Sequence, residues 1–192
     1  MRRTPTREVV GRIRSGAATV LATGGAGAVT PEAVATAAGV SKQTVYNRFG
    51  GRDALLDDVA TAGYRRLSAD LVGRPGARLG SMADPLDMLI EVFRRYRTFA
   101  LAEPELHRFL FDRATPRGYV PSKRTDEARH EVFAVFVTVT RLAVEAGRLL
   151  PGDPSDFARR LLAAASGSVR LESGDDDRDP VFEATMATVI RG

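Results

Sequence analysis

The sequence predicts an all-helical fold, and three features predict it. Thr30-Pro31, Asp84-Pro85, Asp153-Pro154 and Asp179-Pro180 each set a capping oxygen directly before a proline. Proline suits the first helical turn, where its missing N–H would have had no partner anyway. Between these starts, apolar residues recur at three- and four-residue spacing. No segment alternates with period two among β-branched residues, as a half-buried strand does.

Taken in order, the first helix puts Val9, Ile13, Ala17, Val20 and Leu21 on one face with arginines opposite, and "GGAGAV" ends it. A second runs from Pro31 to about Ala38 with Val34 and Ala35 inward, and a third from about Lys42 to Arg48. The fourth, from Arg52 to about Val72, carries the stripe Leu56, Val59, Ala60, Leu67 and Leu71. "GRPGARLGSMAD" then reads as a linker. Pro104 and Pro121-Ser122 mark further starts, which gives helices near 85–101, 104–114, 122–146, 154–172 and 180–191, about nine in all. The expected organisation is a small three-helix domain over 1–50, a connecting helix over 51–72 and a larger helical bundle over 73–192. "DDDRD" at 175–179 reads as a solvated acidic loop.

Composition narrows the function. The chain of 192 residues has no cysteine, which excludes disulfides, zinc–thiolate sites and cysteine nucleophiles. No apolar run approaches the ~18 residues of a membrane span, and the basic N-terminus lacks the apolar core of a signal peptide. A cytoplasmic protein without a membrane partner is expected. Residues 1–52 carry eight basic side chains against Glu8 and Glu32, a net of +6, while the other 140 residues carry 20 basic and 22 acidic, a net of −2. A basic front end on a near-neutral body suits a polyanion, although a solvated arginine-rich face has the same charge. Arginine outnumbers lysine 26 to 2 throughout, so arginine content by itself says nothing of phosphate recognition.

The stretch "AGVSKQTVYNRFGGRDALL" sharpens this. Gly39 can take the left-handed conformation that ends one helix, and Ser41 can cap the N–H groups of the next. Two short helices joined by such a turn form a helix-turn-helix. On a wheel with Val45 as the inward pole, Ser41 and Phe49 lie within about 40°, while Gln43 and Asn47 lie about 160° away. Thr44 and Tyr46 flank those amides, with Lys42 and Arg48 at the shoulders. Such a face can hydrogen-bond base edges and phosphates, and an ordinary solvated helix also shows polar residues. The N-terminal charge favours DNA.

Residues 13–56, through "IRSGAATVL", "TPEAVATAAGVSKQTVYNRF" and "RDALL", resemble the DNA-binding domain of TetR/AcrR-type transcriptional regulators. The match spans about a quarter of the chain with unbroken spacing. The resemblance implies that the helix opened by Ser41 is the recognition helix, with Lys42, Gln43, Thr44, Tyr46 and Asn47 toward DNA; Ser41 and Arg48 are counted with them as candidate DNA contacts. It implies phosphate contacts from Lys42 and Tyr46, and at the helix N-termini near Thr30 and Arg52, where free N–H groups attract anions. Arg48 stands where the family usually has His, and Gly51-Arg52 where it has Ser-Lys.

The resemblance further implies a homodimeric repressor on a palindromic double-stranded operator, released by an unknown small apolar or amphipathic effector. "EAGRLLPGDPSDFARRLLAAASGSVRLESG" is similar to the join before the family's eighth helix. There the last two helices pair with their copies as a four-helix interface, here through Leu161, Ala165 and Val169 with Phe182 and Met186. The same stripes would serve equally to close a monomer core. Aromatics at helical spacing, Phe93, Tyr96, Phe109, Phe133 and Phe136, are mostly core residues of which some would line an effector cavity. No Ser/His/Asp set, phosphate loop or paired carboxylates point to an enzyme. His107 and His130, on different helices, make no metal site, and no cofactor is expected. A DNA-binding protein without an effector, or a helical enzyme, are the alternatives.

Overall fold

The computed structural model describes residues 6–73, 82–112, 116, 118–172 and 184. Among these residues there are eight helices and no strand: α1 (Thr6–Ala28), α2 (Pro31–Ala38), α3 (Lys42–Phe49), α4 (Arg52–Val72), α5 (Pro85–Ala102), α6 (Pro104–Phe111), α7 (Lys123–Glu145) and α8 (Pro154–Glu172). The expected ninth helix, with Phe182 and Met186, lies outside the described residues.

The caps behave as their chemistry requires. Thr30 Oγ1 accepts from Ala33 N at 3.2 Å, Asp84 Oδ1 from Leu86 N at 2.8 Å, and Asp153 Oδ1 from Asp156 N at 2.9 Å. Proline opens α2, α5, α6 and α8. The glycine-rich end of α1 interrupts rather than ends the helix: Gly25 sits at φ 68°, outside helical geometry, and one more turn carries on to Ala28.

Two compact units divide the chain. The first takes the chain up to Tyr64 together with Glu103–Ala128, so it contains α1 to α3, the first part of α4, α6 and the first turns of α7. Its core gathers Ile13, Leu21, Val34, Val45, Leu55 and Leu56, all essentially without solvent contact. Gly16 lets α1 approach α2 closely, because a Cβ there would stand 3.0 Å from Ala38 N and 3.1 Å from Val34 O.

The second unit takes Arg65–Ala102 and the chain from Arg129, so it contains the end of α4, α5, most of α7 and α8. Phe93 and Phe136 pack at 5.0 Å between ring centroids, and Tyr96 stands edge-on to Phe136 at 5.9 Å. The Tyr96 hydroxyl, buried, shares a 2.7 Å hydrogen bond with Ser166 on α8. Leu161, Ala165 and Val169 are 0%, 0% and 2% exposed in the single chain. The stripe expected to pair with a second copy is thus covered within the single chain, and an apolar period cannot tell which copy covers it. The exposed side of α8 carries Arg159, Ala163 and Arg170 instead, with Gly167 partly exposed beside them.

Among the described residues no helix is long and apolar enough to cross a membrane. Of the two histidines, His107 is buried against Phe111 at 5.1 Å between rings, and His130 is exposed.

Candidate nucleic-acid interface

The turn between α2 and α3 is built by local chemistry. Gly39 takes φ 61°, its N–H donates to Thr36 O at 3.1 Å, and Val40 N donates to Ala35 O at 3.0 Å. This is the Schellman ending that glycine permits. Ser41 then opens α3, its Oγ accepting from Thr44 N at 3.1 Å and meeting Thr44 Oγ1 at 2.8 Å.

Only Val45 of the eight residues of α3 is buried, at 0% exposure, and Phe49 is half-buried beside it. Lys42, Gln43, Asn47 and Arg48 are exposed, as is Tyr46 at 40%. Ser41, expected near the buried seam, is exposed because its hydroxyl serves the cap rather than the core. A helix this short with a single buried side chain buries little apolar area, on the order of 2–3 kcal/mol for one valine. Its place in the fold is held by its turn, Val45 and the half-buried Phe49, and most of its other side chains are exposed.

The outward side chains are organised among themselves. Gln43 Nε2 donates to Asn47 Oδ1 at 2.8 Å, which joins the two amides across one helical turn. Lys42 pairs with Glu32 of α2, and its ammonium lies 5.6 Å from the centre of the Tyr46 ring. Their hydrogen bond lowers the Glu32 carboxyl below its usual pKa and raises the Lys42 ammonium above its own. A phosphate reaching Lys42 would meet a cation already shared with a carboxylate. Arg48 reaches the hydroxyl of Thr6 at 3.4 Å.

Several basic residues of the front end do structural work that the charge count concealed. Arg12 donates from Nε to Ala38 O at 3.0 Å, which holds α1 on the last carbonyls of α2. Arg14 makes a two-point pair with Asp58 of α4 at 2.9 Å for both bonds. Arg52, the candidate for a phosphate contact, donates to Val29 O at 2.9 Å and Ala26 O at 3.2 Å, tying the start of α4 to the end of α1. Only the long-range fold brings these carbonyls to it, 23 and 26 residues away in sequence.

The expected effector residues divide between the two units. Phe93, Tyr96 and Phe136 lie together in the second, and Phe133 is half-buried there with Arg159 over its ring at 5.7 Å. Phe109 belongs to the first unit and packs on Tyr119 at 5.8 Å, so it is not part of that cluster.

The different work of Arg52 and Lys42 is separable by experiment. Arg52→Ala is expected to lower stability by about 1.5–3 kcal/mol, since charge-assisted bonds to partly buried carbonyls are lost. Lys42→Ala is expected to leave the melting temperature unchanged and to weaken DNA binding alike for all sequences. Thermal denaturation beside DNA titration of both variants checks this, and a stable Arg52→Ala protein would contradict it.

Two family models match the chain. One, bacterial regulatory proteins of the tetR family, covers residues 13–59, and the other, a tetracyclin repressor-like C-terminal domain, covers residues 89–189. Among solved structures, a protein of unknown function from Rhodococcus sp. RHA1 superposes with TM-score 0.80 at 27% identity, over 96% of this chain and 94% of that one. The TetR family transcriptional regulator PfmR from Thermus thermophilus gives TM-score 0.71 at 21% identity, over 94% and 98%. AibR, in complex with isovaleryl coenzyme A and operator DNA, gives 0.73 at 15%, over 95% and 98%. No curated protein matches the chain.

Proposed function

The chain belongs to the TetR family of bacterial transcriptional regulators, and from that premise we propose that it acts as a homodimeric repressor. In this reading α3 enters the DNA major groove at each half of a palindromic operator, and a small apolar or amphipathic ligand held in the second unit releases it. The observation that carries the reading is α3 itself, eight residues with one buried side chain and an outward face of amides, hydroxyls and cations. Gln43 and Asn47 read base edges, while Lys42, Tyr46 and Arg48 meet phosphates, with the N-terminus of α2 at Thr30 as a further anion site.

The dimer forms through the exposed side of α8, where Ala163 and Gly167 permit close approach and a Cβ on Gly167 would meet nothing within 4 Å. For the effector, support comes from the aromatic cluster of the second unit and its buried Tyr96–Ser166 hydroxyl pair, which offers polar handles in an apolar setting. The relative AibR binds an acyl-coenzyme A together with operator DNA. A second reading, a DNA-binding regulator without an effector, is favoured by the tight packing of Phe93, Tyr96 and Phe136, each at 0% exposure.

Selection of bound fragments from the source genome tests the function. The expected result is a shared inverted repeat whose half-sites lie about 34–36 Å apart on one DNA face, the spacing of successive major grooves. No enrichment of any sequence would overturn the reading.

A further inference from the structure

Asp57 lies in the first part of α4, off that helix's apolar stripe. In the folded first unit its carboxylate gathers donors from the start of α7. Ser122 N donates to Oδ1 at 2.8 Å and Ser122 Oγ to Oδ2 at 2.6 Å. Thr125 Oγ1 donates to Oδ1 at 2.8 Å, and the Tyr119 hydroxyl approaches the same oxygen at 3.3 Å. Thr61, one turn further along α4, meets Thr125 Oγ1 at 2.7 Å in a buried contact. Ser122 Oγ meanwhile accepts from Thr125 N at 3.3 Å, so the residue that caps α7 is itself gripped by Asp57. An anion at this position is further stabilised by the partial positive charge of a helix N-terminus. Burial pushes the Asp57 carboxyl upward, but the hydrogen bonds from Ser122, Thr125 and Tyr119 outweigh it and hold the pKa below the usual value.

The same stretch of α4 is fastened on its other sides. Asp58, the next residue, holds Arg14 of α1, and the Tyr64 hydroxyl donates to Leu110 O near the end of α6 at 2.7 Å. α4 and α7 are the helices that continue unbroken from the first unit into the second, passing at Tyr64/Arg65 and Ala128/Arg129. Asp57 therefore ties these two helices together within the first unit, which also carries α1 to α3.

We propose that Asp57 is the positioning residue through which α7 governs operator binding: its carboxylate clasps the α7 N-terminus to α4, and the first unit holds its DNA-reading arrangement only while the clasp is closed. The inference rests on the proposed function and gives α7 a part in transmitting the effector's signal. Hydrogen bonds suit such a device better than apolar contacts. A displacement of about 1 Å takes bonds of this length past their useful range, so a small shift of α7 is read as open or closed. Asp57 is only half-buried, and water can replace its donors when the clasp opens.

The test compares Asp57→Ala, Asp57→Asn, Ser122→Ala and, as a control that weakens the same unit elsewhere, Tyr64→Phe. Operator affinity is measured on a selected genomic fragment at a temperature where circular dichroism shows every variant folded. Backbone hydrogen exchange of the free proteins is measured alongside. Asp57→Ala is expected to lose about tenfold or more in affinity, within the usual range for coupled sites. Its salt slope should stay unchanged, since no phosphate contact is removed. Exchange should quicken in the first turn of α7 and also in α3. Asp57→Asn and Ser122→Ala should follow in the same direction, and they carry the test if Asp57→Ala does not fold. Tyr64→Phe should lower the melting temperature and keep wild-type affinity. Wild-type affinity in the folded Asp57 and Ser122 variants, or an equal loss in Tyr64→Phe, would overturn the proposal. A wild-type protein that selects no DNA would overturn the proposed function instead, and unchanged exchange in α3 would then overturn the coupling.

Discussion

A glutamate at Ala163 is expected to split the dimer and to abolish operator binding while each monomer keeps its helical content. Ala163 is exposed in the single chain, so the monomer tolerates the charge. In the proposed two-fold interface each copy of the residue is buried against the other chain, so two carboxylates would be desolvated without partners. A split dimer forfeits the avidity of linked half-sites, roughly 10²–10⁴-fold. Glutamate at Ala165 should behave differently. That side chain is fully buried in the chain's own core, and an unpaired charge there costs several kcal/mol, so the second unit should unfold rather than dissociate. Sedimentation equilibrium with circular dichroism separates the two outcomes. If Ala163→Glu stays dimeric, the interface is elsewhere.

The second large effect concerns sequence preference. Gln43→Ala or Asn47→Ala is expected to cost about 1–3 kcal/mol against the preferred base at one operator position, and less against others. Because Gln43 donates to Asn47, each amide holds the other in place. The double variant should therefore cost less than the sum of the single ones, the behaviour of residues in one hydrogen-bonded unit. Competition binding across single-base operator variants reads this. Full additivity would mean that the two amides act independently, and unchanged discrimination in both would remove α3 from base reading.

The parts of this protein legible in its sequence are those whose chemistry is local. The caps at Thr30 and Ser41 and the left-handed Gly39 depend on partners three to five residues away, so spacing alone exposes them. The wheel likewise puts Val45 at the inward pole of α3, but of the two residues it sets beside Val45 only Phe49 is half-buried, and Ser41 is exposed. What stayed hidden depends on distant partners. Arg12, Arg14 and Arg52 look like cations for DNA until the fold brings them carbonyls and Asp58. Asp57 lies off the apolar stripe of α4, and its partners among residues 119–125 stand more than 60 residues later in sequence. The stripe of Leu161, Ala165 and Val169 is visible as an apolar face, but periodicity does not say what covers it.

The front end, with three of its arginines engaged by the fold, offers fewer cations to DNA than its net +6 suggests. Among the described residues up to 52, Arg7, Lys42 and Arg48 stay exposed, Lys42 paired with the exposed Glu32 and Arg48 bonded only to Thr6, three in each chain. A dimer making about six phosphate contacts should show a log–log salt slope near −5, a loss of about a thousandfold in operator affinity between 50 and 200 mM salt. Titration of a selected operator fragment across that range measures the claim that this surface binds DNA. A slope near −5 is the expected result, and a flat response would contradict it.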